Sequence, residues 1–468
     1  MKRIMRNWPS LSRRQALAAS AGLFAGGTLP SSLQAADPVN AGRKSGKAKS
    51  VIMLYLHGGA PTQDMFDMKP TGPVESRGEF SPIATNVPGI DICEHLPKMA
   101  RWMDRAAILR AVHHRAGCHN EIPSFTGYES PSGMQELTDQ HLPPSMGSVC
   151  EYLKPPGERL PAYVSLPNPL GYYGETGPGS GFLGHRYAPL LTSAQPEWDE
   201  GVDIKNRKEP VLIRGIPRIN DSRLIDGMTN DRLQHRQTLL AQLDLNPARH
   251  TADAAKYEQF QRWGFDVLAS HQLRHCFDPA LINQSVKERY GNTLFGNSAF
   301  IATKLVEQGV KVVNVIWTWY FQLIGGLQDF GWDTHEWNFL ILRRYLPHLD
   351  QVYSALMEDL ERTGLLDETL VVLTSDFGRT PNVNQTAGRD HWMHCYSTVL
   401  AGAGIRGGTV FGSSDKQAAW PVDGPVRPAD ICATIYECLG IDPDLMIHDR
   451  LNRPHKIAQG GEPIRAIL

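Results

Sequence analysis

No Cys-x-x-Cys pair occurs among the seven cysteines (Cys93, Cys118, Cys150, Cys276, Cys395, Cys432 and Cys438), which excludes a zinc ribbon and a thioredoxin-like redox motif. The odd number leaves at least one unpaired or bonded between chains. Cys432 and Cys438 lie closest in sequence, but on a helical stretch over 430–439 their spacing points them apart, so mostly buried free thiols are expected. No Gly-x-Gly-x-x-Gly turn follows the first strand pattern and no phosphate loop is present, which argues against a nucleotide or redox enzyme. Charge has no bias, with 47 basic against 49 acidic side chains. No basic stretch interleaved with aromatics appears outside the first residues, so no nucleic-acid partner is expected. The sequence also lacks a repeat of solenoid length, a low-complexity tract and, beyond its start, any apolar run able to span a membrane.

What is present begins with an address. Lys2, Arg3 and Arg6 lead into Ser12-Arg13-Arg14-Gln15-Ala16-Leu17, then an apolar, small-residue stretch from Ala18 to Leu29, then Leu33-Gln34-Ala35. A charged start, a short apolar middle and a small-residue cleavage site make residues 1–36 an export signal. The apolar part falls far short of the roughly 20 residues that cross a bilayer. The Arg13-Arg14 pair marks the twin-arginine machinery and a periplasmic or otherwise exported location. Retention of the segment as a membrane anchor is the competing reading.

Residues 37–468 read as a single α/β domain. Residues 50–56 form a continuous apolar run that ends abruptly in His57-Gly58-Gly59-Ala60-Pro61, as a buried strand entering a glycine loop does. Similar runs cover 106–112, 162–166, 310–317, 369–374 and 397–401, giving six strands of a mainly parallel central sheet. Leu346, Leu349, Val352, Tyr353, Leu356, Met357 and Leu360 recur at helical spacing before Gly364, so a helix from 338 joins the strands at 310 and 369 by a right-handed crossover. A helical insertion is expected at about 219–290 and a glycine-rich surface loop at 167–191.

Sites in such sheets form beyond the carboxyl ends of the strands, and there this chain is strongly polar. His57, Asp64 and Asp67 follow the first strand; His113, His114, Cys118, His119, Asn120 and Glu121 follow the second. Asp333 and His335 follow the strand at 310, Asp376 and Arg379 the strand at 369, with Asp390, His391 and His394 close behind. Carboxylates and imidazoles converging from several strand ends suit one or two divalent ions such as zinc, manganese or calcium. Singly, Asp333 or Asp376 could equally cap a helix, and a loop histidine could simply be solvated.

Gly58-Gly59 through Asp64-Met65-Phe66-Asp67-Met68-Lys69-Pro70, Gly331-Trp332-Asp333-Thr334-His335, Ser375-Asp376-Phe377-Gly378-Arg379-Thr380-Pro381 and Gly388-Arg389-Asp390-His391-Trp392 resemble, in order, the exported, sulfatase-like family labelled domain of unknown function fifteen-hundred-and-one. That family is similar in turn to the alkaline phosphatase and sulfatase superfamily. The resemblance implies an alkaline phosphatase-like fold and a metal site of Asp64, Asp333, His335, Asp376 and His391, with His57, Asp67, Asp390 and His394 as further candidates. Phe377 stands where the superfamily has a histidine, and Asp333 and His335 are two apart rather than four. A Thr-Gly pair resembling Thr126-Gly127 places the nucleophile near Gly117, Cys118 or His119, although the Cys-x-Pro-x-Arg sulfatase signature is missing. Cys118 is then a metal- or His119-activated thiolate or an ordinary thiol, and His119 a nucleophile or a ligand. Arg379 suits paired hydrogen bonds to an ester oxyanion, with a salt bridge to Asp390 as the competitor.

Together these features lead to an expected metal-dependent hydrolase of sulfate or phosphate esters, with polysaccharide as a candidate substrate and Trp317, Trp319 and Tyr320 as a sugar-stacking surface or as core. The alternative is a noncatalytic relative that binds polysaccharide or a cell-envelope partner.

Overall fold

The computed structural model describes residues 46–117, 119–129, 141–155, 158, 160–167, 179–195, 197, 211–219, 270–317 and 331–468, with single helical positions between 232 and 264. The segment expected to be an export signal and Cys118 lie outside these residues, as do Trp319 and Tyr320 and most of the stretch expected to be a helical insertion.

Eight strands form the central sheet: β1 (Ser50–Leu56), β2 (Ala106–Val112), β3 (Tyr163–Leu166), β4 (Leu190–Leu191), β5 (Val312–Trp317), β6 (Thr369–Ser375), β7 (Tyr396–Gly402) and β8 (Thr409–Phe411). Their order is β8-β2-β7-β6-β1-β5-β3-β4. Every pairing is parallel except those of β7, which runs antiparallel to both β2 and β6. The fold is α/β with a mainly parallel sheet, and the six expected strands are all in it. The two additional strands, β4 and β8, are edge pieces of two and three residues, too short to leave a periodic signal.

Burial on both faces explains the unbroken apolar runs. On β1, Ile52, Leu54 and Leu56 join the core beneath α5 (Leu294–Glu307) and α6 (Asn338–Arg362). Val51, Met53 and Tyr55 face the other way, into a core closed by α7 (Pro428–Cys438). The helical stripe from Leu346 to Leu360 is the buried face of α6, and Gly364 leaves that helix at φ 75° in the left-handed region. Within the expected insertion the described helices are α3 (His271–Cys276) and α4 (Gln284–Tyr290). Of the expected loop at 167–191, the described part holds two single turns and β4. Trp317 is core rather than a sugar platform, buried among Phe295, Trp332, Tyr345 and His348. Six cysteines are described, all buried and none paired.

Strand register sets up the site. Leu56, Trp317 and Ser375 lie side by side, so β1, β5 and β6 end at one level. Because β7 runs back from that edge, its first residue, Tyr396, lies opposite Val112 at the end of β2. Among the described residues no helix is long and apolar enough to cross a membrane.

Candidate metal centre

At the end of β1 the chain turns through Gly58 (φ 123°) and Gly59 (φ 103°), in backbone conformations that L side chains rarely adopt. A Cβ on Gly58 would overlap the backbone of Asp333, and one on Gly59 would press on Phe377 and Arg379. Glycine is thus what lets the loops after β5 and β6 close onto β1. Trp332 N donates to His57 O at 3.1 Å, and Gly58 N donates to Asp376 Oδ1 at 3.1 Å. Beyond β6, a two-residue antiparallel ladder sets His391 opposite Arg379 and returns it to the same place. The loop after β2 delivers His119 just ahead of the short α1 (Ile122–Thr126).

Two groups of donors result, His57–His119–Asp376 and His119–Asp333–His391, each with its ligand atoms within 4.8 Å of one another. His119 joins them. Its Nδ1 is 2.9 Å from Asp376 Oδ2 and its Nε2 3.3 Å from Asp333 Oδ2. The first group is fully buried, whereas Asp333 and His391 are partly open. His335 lies beside the second group, Nε2 3.1 Å from Asp333 Oδ1 and 3.0 Å from His391 Nε2. Asp390 Oδ1 accepts from the other ring nitrogen of His335, Nδ1, at 2.6 Å and so orients the ring.

The protonation states follow from these contacts. Burial pushes His57 down to about 4 and also lowers His391, so both present neutral nitrogen at pH 7. Burial opposes charge on His119 as well, but its bonds to Asp333 and Asp376 outweigh that and push it up to about 9. Burial would raise Asp333 and Asp376; His119 lowers both, joined at Asp333 by His335, His391 and Arg379. Neutral imidazoles beside ionised carboxylates are a donor set that fits a divalent cation, which would take the place of the proton on His119.

Several expected site residues are held elsewhere. Asp64 is fully buried in a two-pronged ion pair with Arg389 (2.8 and 2.9 Å) and accepts from Asn338 Nδ2 at 2.8 Å, which leaves it outside both groups. Asp67 pairs with Lys69 at 2.9 Å and with the Ser414 hydroxyl. His394 stacks on Trp420, with ring centroids 4.5 Å apart. Arg379 is fully buried, donating to Gly59 O and Arg389 O at 3.1 Å and to Gly58 O. Its carboxylate partner is Asp333, not Asp390, so it braces the site instead of facing a substrate anion. Phe377 supplies no ligand; its ring packs 5.2 Å from that of His119 and 4.6 Å from that of His391.

One residue of the site was not singled out by its sequence. Glu121 is buried with its Oε1 3.3 Å from His57 Nε2, and burial, reinforced by Asp376, pushes its carboxyl up to about 8. The only signal was its place in the run His119-Asn120-Glu121 immediately ahead of apolar Ile122.

No curated protein matches the sequence. The structure is similar to that of the lipoteichoic acid synthase LtaP from Listeria monocytogenes, at 11% identity over 90% of this chain and 80% of that chain, with a TM-score of 0.36. The PsFucS1 sulfatase from Pseudoalteromonas sp. is 11% identical over 84% of this chain and 68% of its own, with a TM-score of 0.35. A protein in the alkaline phosphatase superfamily from Vibrio parahaemolyticus is 9% identical over 91% and 71%, with a TM-score of 0.37. The family model described as protein of unknown function (DUF1501) matches residues 48–468, most of the chain, and the chain belongs to that family.

Proposed function

We propose that this protein is an exported, metal-dependent hydrolase of sulfate or phosphate esters, with an ester-bearing polysaccharide as its substrate class. The supporting observation is the sharing of His119 between two donor groups at one edge of the sheet, one buried and one open to solvent. His57, His119 and Asp376 would hold an inner divalent ion, and Asp333 and His391, with His119, an outer one; with both ions in place His119 would bridge them as an imidazolate that has given up both ring protons. Zinc, manganese and calcium are the candidates. Such an ion polarises an ester oxygen and lowers the pKa of bound water or of a nucleophile. The chain's own part is to fix the donors: Arg379 braces Asp333, Asp390 sets the ring of His335, and Gly58 N holds Asp376. The motif resemblance to sulfatase-like proteins favours sulfate and phosphate esters over other substrates.

A second reading, a metal-holding protein that binds a polysaccharide or envelope partner without turnover, is favoured by Phe377 in a ligand's position and by the enclosure of Arg379. Elemental analysis of the purified protein, with a screen of aryl sulfates and aryl phosphates, separates the two. The hydrolase reading expects one or two equivalents of metal, and turnover that falls by about 100-fold or more in Asp376→Ala. Metal-loaded protein inert toward both ester classes would end that reading in favour of binding.

A further inference from the structure

An ionised carboxylate in a dry interior is costly unless something of opposite charge or a set of donors meets it. Among the described residues, six of the seven buried acidic ones are met in that way. Asp64 has Arg389, Asp67 has Lys69, Glu151 has Lys154, and Asp359 has Arg289 with Tyr290. Asp350 accepts from the amides of Lys98 and Met99, and Asp376 from Gly58 N, with the Ser375 hydroxyl and His119 alongside. Glu121 is the exception. Its side chain is 4% exposed, and neither of its oxygens has a hydrogen-bond partner. Among the described residues no lysine or arginine pairs with it; the titratable group in contact with it is His57, at 3.3 Å, and Asp376 and His119 act on it from farther off. Because the two are not hydrogen-bonded, Glu121 does not orient that ring as a carboxylate behind a metal-bound histidine does. An unmet carboxyl thus lies against His57, at the margin of the buried donor group and outside the 4.8 Å span that His57, His119 and Asp376 share.

We propose that Glu121 is a ligand of the inner divalent ion, adding a fourth protein donor to His57, His119 and Asp376. This rests on the metal part of the function proposed above and not on ester hydrolysis. Two carboxylates and two imidazoles give the pocket four donors and two negative charges, the complement of a divalent cation. They also give the buried carboxylate of Glu121 the partner that its surroundings lack.

The variant Glu121→Gln keeps the size of the side chain and an oxygen able to accept from His57, but removes the charge. The purified full chain and the variant are stripped with chelator and dialysed against zinc or manganese, and bound metal is counted by elemental analysis. The proposal expects the variant's affinity for the inner ion to fall by on the order of 100-fold or more, beyond what loss of an orienting partner costs. Melting of the chelated proteins gives an independent readout: the variant should melt close to the wild type, because Glu121 has no hydrogen-bond partner for the substitution to remove. Wild-type protein that takes up no ion would overturn the metal reading and this proposal together. Wild type that binds while Glu121→Gln binds equally well would overturn this proposal alone.

Discussion

His348 lies within α6, its ring centroid 5.4 Å from that of Trp317 and its Nε2 2.6 Å from Thr293 Oγ1. Burial, with Arg344 adding to it, pushes its pKa down to about 3 from 6.5. A folded value below the unfolded one means that the unfolded chain binds the proton first. The stabilisation is therefore complete above about pH 6.5 and is lost as pH falls toward 3. Between pH 6.5 and 5 this group alone removes about 2 kcal/mol. In His348→Gln the acid-side loss of unfolding free energy should shrink by about that amount, measured by denaturant titration at the two pH values. A variant with the wild-type slope would place the acid sensitivity elsewhere.

Also at this scale, the sequence disclosed residue types but not partners. His119, Asp333, Asp376 and His391 were legible as polar residues in the segments that follow strands, and the sheet does the gathering. Asp64 stood in a motif of the same kind, yet Arg389, 325 residues further on, closes over it. Arg379 was read as an anion clamp because guanidinium suits that task; nothing local revealed that three backbone carbonyls and Asp333 would enclose it. Glu121 was read only as one more polar residue after the second strand, with no role, for the converse reason that its significance lies in the partners it lacks.

Among the elements, the loops after β5 and β6 depend on one close approach. Asn384 N donates to Gly388 O and Asn384 Oδ1 accepts from Gly388 N, both at 2.8 Å, while a Cβ on Gly388 would overlap His335 O. Gly388→Ala must separate the segment carrying Asp333 and His335 from the one carrying His391. The expected result is a folded protein that has lost about 1–3 kcal/mol of stability and binds divalent metal about 10–100-fold more weakly. Denaturant unfolding and equilibrium dialysis would measure the two effects, and unchanged metal affinity would show that the loops do not depend on this contact. Elements themselves were legible where burial is two-sided or periodic, as in β1 and α6. Edge strands β4 and β8 were not, because pieces of two and three residues take their conformation from a neighbouring strand rather than from a pattern of their own.

For the whole molecule, the donors are spread from His57 to His391 and meet only once the sheet has formed. No short segment carries either group, so uptake of the proposed metal would be coupled to folding. The proposed twin-arginine export suits such a chain, because that route carries proteins already folded. With Arg13→Lys and Arg14→Lys together, folded and metal-loaded protein should accumulate in the cytoplasm, as cell fractionation and elemental analysis would report. Secretion of unfolded chain by the double variant would count against that route.

The six buried sulfurs have a chemical consequence. Burial pushes Cys276 up to about 11 and Cys93, Cys150, Cys395 and Cys438 to about 12, and raises Cys432 as well. At neutral pH no more than ~1 in 10,000 of any of them is thiolate, the form that attacks disulfides, peroxides and alkylating agents. Once folded, these cysteines are shielded from oxidants by acidity and access alike, so the part of the fold they occupy requires neither sulfur pairing nor a reducing compartment to persist.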